Sequence, residues 1–447
     1  MPFINRPWFA WLDSGHPQGN FGRYDILVAD PVATLTTQDN QTYVWQQQGP
    51  SHYTQDNPFQ LVRKWLTHYR PANCQLPDAI PFAGGALGYF SYDLGRYQEQ
   101  LSNCQPADLK IPDMNIGIYL WALINDHQQK TTTLSTLDPA LVQTHYWQQL
   151  TTSLLTAIEQ PIQTKQANHF QLTSEFQADF SRHSYGQAFR QVMDYIQAGD
   201  CYQVNLAQRF QAAFQGSVWQ AYLRLRQTNP NPFSAFLNYP QGQILSLSPE
   251  RFLQVKTGQV GSYPIKGSRP RHKKPALDQQ AAQALLTSTK DRAENIMIVD
   301  LMRHDLSKNC RPHSVKVSEL CGLTSFARVH HLISCINGKL KSTRDSIQLL
   351  ADCFPGGSIT GAPKIRAMEI IEQLEPRRRS VYCGSIGYTG FNGDMDTNIC
   401  IRTLVAYHQR LYAWAGGGLV ADSQEAAEYQ ETLDKIQPLL QSLNSTC

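Results

Sequence analysis

Lys266 lies in the run Tyr263-Pro264-Ile265-Lys266-Gly267-Ser268-Arg269-Pro270-Arg271, where proline and glycine stiffen the chain and aim the amine by its backbone. A lysine held this way can be a nucleophile if its surroundings keep a fraction of it neutral. Standing alone it would be an ordinary solvated turn lysine. Two acidic pairs give it company. Asp291 and Glu294 are three residues apart, as are Glu428 and Glu431, so each pair shares one face of a helix. Together the pairs could hold a hard divalent cation such as Mg²⁺, with positions left for water and substrate oxygens. The competing reading is two solvated helix faces. Glu250 follows Ser248-Pro249 in a turn between apolar strands. Burial there would raise its pKa toward a useful acid–base range, or backbone donors would satisfy it as a plain turn carboxylate.

Groups suited to anions surround these. Phe354-Pro355-Gly356-Gly357-Ser358-Ile359-Thr360-Gly361-Ala362-Pro363-Lys364 leads into a helix that stops before Pro376, with Thr360 as its expected cap. It resembles a P-loop only superficially. Pro363 stands between the last glycine and Lys364, and no Ser or Thr follows the lysine, so a Walker reading fails. The helix start still offers N–H groups to a small carboxylate. A second run, Ala415-Gly416-Gly417-Gly418-Leu419, lets backbone N–H groups approach a ligand closely. Arg402, inside the apolar run Ile399–Leu404, needs an anionic partner: a substrate carboxylate or an internal Asp or Glu. Arg377-Arg378-Arg379 after Pro376 reads as a solvated loop. Jointly these residues describe a site for an anionic small molecule.

The elements that must position them follow from periodicity. Helices are expected over Tyr185–Gly199, Lys290–Leu306 and Ser423–Leu443, the last with a buried stripe of Tyr429, Leu433, Ile436 and Leu440 beside a row of Glu428, Glu431 and Lys435. Strands are expected over Tyr24–Val28, Tyr43–Gln46, Ile116–Leu123, Cys201–Phe210, Ile244–Leu247, Phe252–Val255, Tyr382–Gly387, Asn398–Ala406 and Leu411–Ala415. The glycines of Gly84-Gly85-Ala86-Leu87-Gly88 read as close backbone packing rather than phosphate binding. The irregular order of strands and helices predicts an α+β fold. A boundary is expected in the polar stretch Gln160–Asn168, between an N-terminal region 1–158 and a second region 170–447.

Composition excludes several classes. A formal net charge of +3 over 447 residues is too mild for nucleic-acid or membrane binding by bulk electrostatics. Ten scattered cysteines without a CxxC pair suit reduced thiols, not a disulfide framework or zinc site. The start, Met1 to Trp8, carries no secretory pattern, and no run of about 18 apolar residues exists. A cytoplasmic protein is expected.

Long motifs in order then resemble one family. SPERF (248–252), PIKGSRPR (264–271), DRAENIMIVDLMRHDL (291–306), VHHL (329–332), FPGGSITGAPKIRAMEII (354–371), GSIGY (384–388), MDTNICIRTL (395–404) and GGGLVADSQEAAEYQETLDK (416–435) are similar to the chorismate-utilising enzymes, in particular the aminodeoxychorismate synthase component I group. GRYDILVADP (22–31) and GGALGYFSYDLGR (84–96) extend the likeness over nearly the whole chain. The resemblance implies a large antiparallel β-sandwich flanked by helices, with two intertwined sub-domains. It implies conversion of chorismate and ammonia to 4-amino-4-deoxychorismate with Mg²⁺, the ammonia coming from a partner glutamine amidotransferase subunit. Glu294 and Glu431 would be the metal ligands, with Asp291 and Glu428 behind them. Tyr382, Arg402 and the backbone at Gly416, Gly417 and Gly418 would hold the enolpyruvyl carboxylate. His331, Ser358 and Lys435 would line the pocket, with Gly267 and Ser268 against the ring. Anthranilate synthases of this family carry alanine at the place of Lys266, and isochorismate and salicylate synthases carry lysine at the place of Gln203. The implied mechanism is therefore attack by Lys266, with Glu250 as acid. Anthranilate-type amination at C2 is the alternative. His304 and Ser268 stand where the family often has Asn and Thr, which removes no functional group. The family can also carry a tryptophan pocket in its N-terminal half, in the region of Asp13-Ser14-Gly15, so Ser14 is the residue expected at it.

Overall fold

The structure is a computed structural model that describes residues 3–15, 21–99, 101, 105–159, 169–326 and 329–444. The expected boundary segment Gln160–Asn168 lies outside the described residues. Strands form two antiparallel sheets, each of twelve strands among the described residues. The first runs through Gln203–Gln215, Arg410–Leu419, Thr403–Tyr407, Gly242–Ser248, Phe233–Tyr239, Phe9–Asp13, Tyr24–Val28, Trp121–Asp126 and Thr131–Thr136. The second runs from Ile265–Pro270 through Val329–Lys339, Gln259–Ser262, Arg251–Lys256, Met395–Asn398 and Ser385–Gly390 to Gly85–Phe90, Met114–Tyr119 and Ala33–Gln38. Both sheets take strands from both halves of the chain: Phe9 pairs with Asn238, and Gly88 pairs with Gly387.

Alternation explains the layers. On Phe9–Asp13, Ala10 faces the core between the sheets while Trp11 faces outward. Leu237 and Ile244 likewise face inward, and their neighbours Phe236 and Leu245 face out. Tyr222, Leu225, Ile436 and Leu439, from helices Val218–Thr228 and Glu425–Asn444, cover that outer face. Helix Thr289–Asn309 packs on Val329–Lys339 and Ile265–Pro270. The observed architecture is an α+β sandwich with helices outside.

Several boundaries differ from the expected ones. Ile116–Leu123 divides at Leu120, because Met114–Tyr119 and Trp121–Asp126 belong to different sheets. Asn398–Ala406 divides into Met395–Asn398 and Thr403–Tyr407 for the same reason, leaving Arg402 in the link with φ +51°. Tyr382 precedes its strand, which starts at Ser385. Gln203–Gln215 is buried on both faces from Gln203 to Phe210, so period-2 alternation reports it poorly. Thr360 does not cap the helix Lys364–Leu374; its hydroxyl donates to the Gly356 carbonyl instead. On the last helix the buried residues are Glu428, Thr432, Ile436, Leu439 and Leu443, so a carboxylate sits on the buried stripe itself.

Gly88 lies where the sheets meet. A Cβ there would fall 2.0 Å from the Asn115 carbonyl and 3.0 Å from the Tyr239 hydroxyl, which confirms the packing role expected for this glycine run. Gly88→Ala should lower the Tm by several degrees, since overpacking a tight contact costs about 1–3 kcal/mol. A thermal melt of the variant beside the parent checks this.

Candidate active site

Lys266 is on an edge strand, and its aim comes from a β-bulge. The pairing of Ile265–Pro270 with Val329–Lys339 shifts register between Lys266 and Ser268. Gly267 absorbs the shift at φ +80°, and a Cβ there would meet the Asp291 Cβ at 2.9 Å. Gly267 thus supplies a backbone conformation and a close approach rather than a functional group. The Lys266 amine is enclosed although the residue as a whole stays partly exposed. Its Nζ donates to the Ser358 carbonyl at 2.9 Å. The Ser358 hydroxyl in turn donates to Glu250 Oε1 at 2.9 Å. One residue of the Gly-rich turn therefore links the expected nucleophile to the expected acid.

Burial sets both groups' proton affinities. It pushes the Lys266 amine below the usual lysine range, against the opposing pull of Glu294 and Glu250. It pushes Glu250 up, while Ser358 and Lys266 hold it back. A lysine with a depressed pKa beside a carboxyl with a raised one is the arrangement a nucleophile and its acid require.

The four expected metal acids gather on the other wall. Helix Thr289–Asn309 starts at Ser288, whose hydroxyl accepts from the Asp291 amide, and so brings Asp291 and Glu294 toward the bulge. Asp291 also pairs with Arg269 at 2.9 Å. Helix Glu425–Asn444 presents Glu428 and Glu431 against Gly417; a Cβ on that glycine would stand 3.1 Å from Glu428 Oε2 and 3.6 Å from Glu431 Oε1. Glu428 accepts from Ser423 at 2.7 Å and pairs with Lys290 at 3.4 Å. Lys435 pairs with Glu431 at 2.6 Å and also donates to the Gly416 carbonyl at 2.9 Å. Burial raises the Glu294 pKa, with Lys266 and Lys290 opposing. Burial pushes Glu431 up as well, but Lys435 together with Lys290 and Lys266 outweighs it and holds that carboxyl low. Among the described residues no three of these acids close into a complete metal cage. The donors are oxygens only, arranged around a glycine cradle that a side chain would fill. That set fits a hard cation whose shell is completed by water and substrate oxygens.

The remaining expected residues form the anion end. Arg402 is desolvated enough to lower its pKa, and among the described residues no carboxylate pairs with its guanidinium. The internal-partner alternative therefore falls away, and an anionic ligand is what the group lacks. His331 is buried, its Nδ1 lies 2.7 Å from the Ser268 hydroxyl, and burial with Arg402 nearby pushes the imidazole down to about 4. Tyr382 is buried and stacks on Trp414 with ring centroids 6.1 Å apart. Gly416, Gly417 and Gly418 pair with Ala207, Leu206 and Asn205. Gln203 lies beside Gly418, where a Cβ would be 2.1 Å from its Nε2.

Ser14 is placed differently. Its hydroxyl and amide both donate to Asp25, and it does not line the nearby cavity of about 560 Å³. Asp13, Tyr24, Pro232, Phe233 and Arg251 do line it. Two features escaped the sequence reading. Lys290, next to Asp291, faces the acidic cluster, and adjacency to a helix pair was the available signal. Arg379 is 2% exposed rather than in a solvated loop, because it is ion-paired with Glu375.

This fold and site define a class. The chain belongs to the chorismate binding enzymes, whose family pattern matches residues 9–441. It is 49% identical to aminodeoxychorismate synthase component 1 of Salmonella typhimurium, over 99% of this chain and 95% of that protein. Identity to the Escherichia coli protein of the same name is 47%, over 98% and 93%. Among solved structures it is similar to anthranilate synthase component I from Streptococcus pneumoniae, with TM-score 0.82, 29% identity, and coverage of 95% and 93%.

His331 yields a pH test. Its folded pKa of about 4 lies below the unfolded value of 6.5, so between those values the unfolded chain binds a proton that the folded one refuses. Stability from this group is full above pH 6.5 and is lost as pH falls toward 4, by up to about 3 kcal/mol. The Tm of His331→Gln should fall less than that of the parent between pH 7 and pH 4.5. Parallel melts across that range measure it, and equal slopes would refute the shift.

Proposed function

We propose that this chain aminates chorismate at C4, forming 4-amino-4-deoxychorismate for para-aminobenzoate and folate biosynthesis. The observation that carries the reading is Lys266, desolvated and tied through Ser358 to Glu250. The neutral amine attacks C2 of the ring, the double bonds shift, and the C4–O bond breaks as Glu250 delivers a proton to the departing hydroxyl. Water leaves, and the new ammonium on Lys266 gives up a proton. Ammonia then adds at C4, the double bonds shift back, and the C2–N bond to Lys266 breaks as the departing amine takes up the proton that the new C4 ammonium releases. Two displacements replace one difficult direct substitution. Gln203, an amide, cannot activate water as a base, which disfavours hydroxylation at C2.

Glu294 and Glu431 would hold Mg²⁺, with Asp291 and Glu428 behind them; the bound ion supplies charge neutralisation for the ring carboxylate. Arg402, Tyr382 and the Gly416–Gly418 backbone bind and orient the enolpyruvyl carboxylate. Ammonia is proposed to come from a glutamine amidotransferase subunit, because the relatives are named as component 1 of a synthase. Eight described cysteines are free thiols, and no helix among the described residues is long and apolar enough to cross a membrane, which supports a cytoplasmic setting.

Incubation with chorismate, Mg²⁺ and ammonium should yield 4-amino-4-deoxychorismate, identified by mass and by the absence of released pyruvate. Anthranilate with pyruvate would establish C2 amination in its place. Lys266→Ala should reduce turnover by about 10³-fold or more while leaving chorismate binding measurable by calorimetry. For the cavity beside Asp13, whose size suits an indole amino acid, tryptophan is the proposed ligand. Tryptophan should raise the Tm of protein refolded free of it; an unchanged melt at millimolar tryptophan would count against that assignment.

A further inference from the structure

Behind the site lies one buried ion pair that touches three of its walls. Arg379 and Glu375 are 2% and 4% exposed. Arg379 Nε donates to Glu375 Oε2 at 2.9 Å and Nη2 donates to Oε1 at 2.6 Å, so the carboxylate holds the guanidinium in a fork. The remaining donors reach two carbonyls on different segments: Nη1 to Ile359 at 3.0 Å and Nη2 to Asn205 at 2.6 Å. Glu375 Oε1 also accepts from the Ala207 amide at 2.8 Å.

Each contact sits one residue or one register position from a substrate group. Asn205 and Ala207 are the residues paired with Gly418 and Gly416. Ile359 follows Ser358, whose carbonyl and hydroxyl hold Lys266 and Glu250. The Tyr382 amide donates to the Arg379 carbonyl at 3.1 Å, and the guanidinium lies 6.0 Å from the Tyr382 ring. Backbone pairing between Gln203–Gln215 and the Gly-rich turn covers only Gln203↔Ala362 and Val204↔Gly361, plus the Asn205 amide on the Thr360 carbonyl. Past that point no backbone pairing joins the two segments among the described residues, and the planar fork of Arg379 bridges their carbonyls.

We infer that Arg379, oriented by Glu375, is a positioning residue for amination: it fixes the Gly416–Gly418 cradle, the Ser358 turn and Tyr382 in one register. The inference rests on the proposed chorismate reaction, and no contact between Arg379 and substrate is required.

The test uses full-length protein with chorismate, Mg²⁺ and ammonium, after the parent has been shown to make 4-amino-4-deoxychorismate. Failure of the parent would concern the reaction itself; the variants report on positioning. Arg379→Lys keeps the charge opposite Glu375 but cannot span both carbonyls. It should lower kcat at least tenfold and raise the chorismate KM severalfold. Gly88→Ala, matched for loss of Tm, should keep both constants within twofold. Glu375→Gln, which weakens the fork while leaving Arg379 in place, should shift both constants in the same direction by less. Parent-like constants in a folded Arg379→Lys would overturn the proposal. So would losses no larger than those of Gly88→Ala. If neither Arg379→Lys nor Glu375→Gln folds, the pair's role is structural and the proposal is likewise overturned.

Discussion

Everything in the site depends on excluding water from two groups that would normally carry opposite charges. Lys266 and Glu250 are buried together, and burial favours the uncharged form of each. A neutral amine beside a protonated carboxyl is the protonation state the proposed first displacement demands. A direct contact would undermine it, since attraction at short range favours the ion pair. No such ion pair joins the two among the described residues. Ser358 stands between them, giving the lysine an uncharged acceptor and the glutamate an uncharged donor. The turn thus satisfies both hydrogen-bonding needs without direct contact between the two groups.

Charge elsewhere in the cleft is left incomplete in a way that describes the ligand. At one end Arg402 is desolvated and unpaired among the described residues, in a link with φ +51° that a side chain adopts only when its surroundings hold it there. At the other end four carboxylates, Asp291, Glu294, Glu428 and Glu431, face three paired cations, Arg269, Lys290 and Lys435. A substrate with one carboxylate for the arginine and another for a cation held by the glutamates completes both ends. Chorismate is such a dicarboxylate.

The chemistry was more legible in the sequence than the geometry. Helix periodicity paired Asp291 with Glu294 and Glu428 with Glu431, because residues three apart must share a face. The turn around Lys266 was legible too, though its proline and glycine encode a β-bulge rather than a simple turn; only the partner strand reveals the register shift. Burial was the least legible property. Glu428 lies on the stripe the fold buries, which is offset from the Tyr429, Leu433, Ile436 and Leu440 stripe that hydrophobicity predicts, and Ser423 and Lys290 both donate to its Oε1. Arg379 sits in a run of three arginines that composition reads as solvated, yet its partner Glu375 is only four residues away. An acid four residues before an arginine is a common surface pattern. Nothing local distinguishes a pair that the fold encloses.

The two sheets explain why that enclosure matters. Gly416–Gly418 belong to the first sheet, while Lys266, Ser268 and His331 belong to the second. The site is therefore a seam, and its dimensions follow from how the sheets pack. Away from it, in the first half of the chain, Gly88 admits the Tyr239 hydroxyl from the opposite sheet. Strands of the N-terminal region carry none of the reacting groups. They extend both sheets. A seam of this kind cannot be built from the catalytic region's strands alone, because each sheet would end in an open edge where its neighbour now begins. The N-terminal half contributes strands that leave those edges paired, and Arg379 bridges turn and strand locally where the ladder between them runs out.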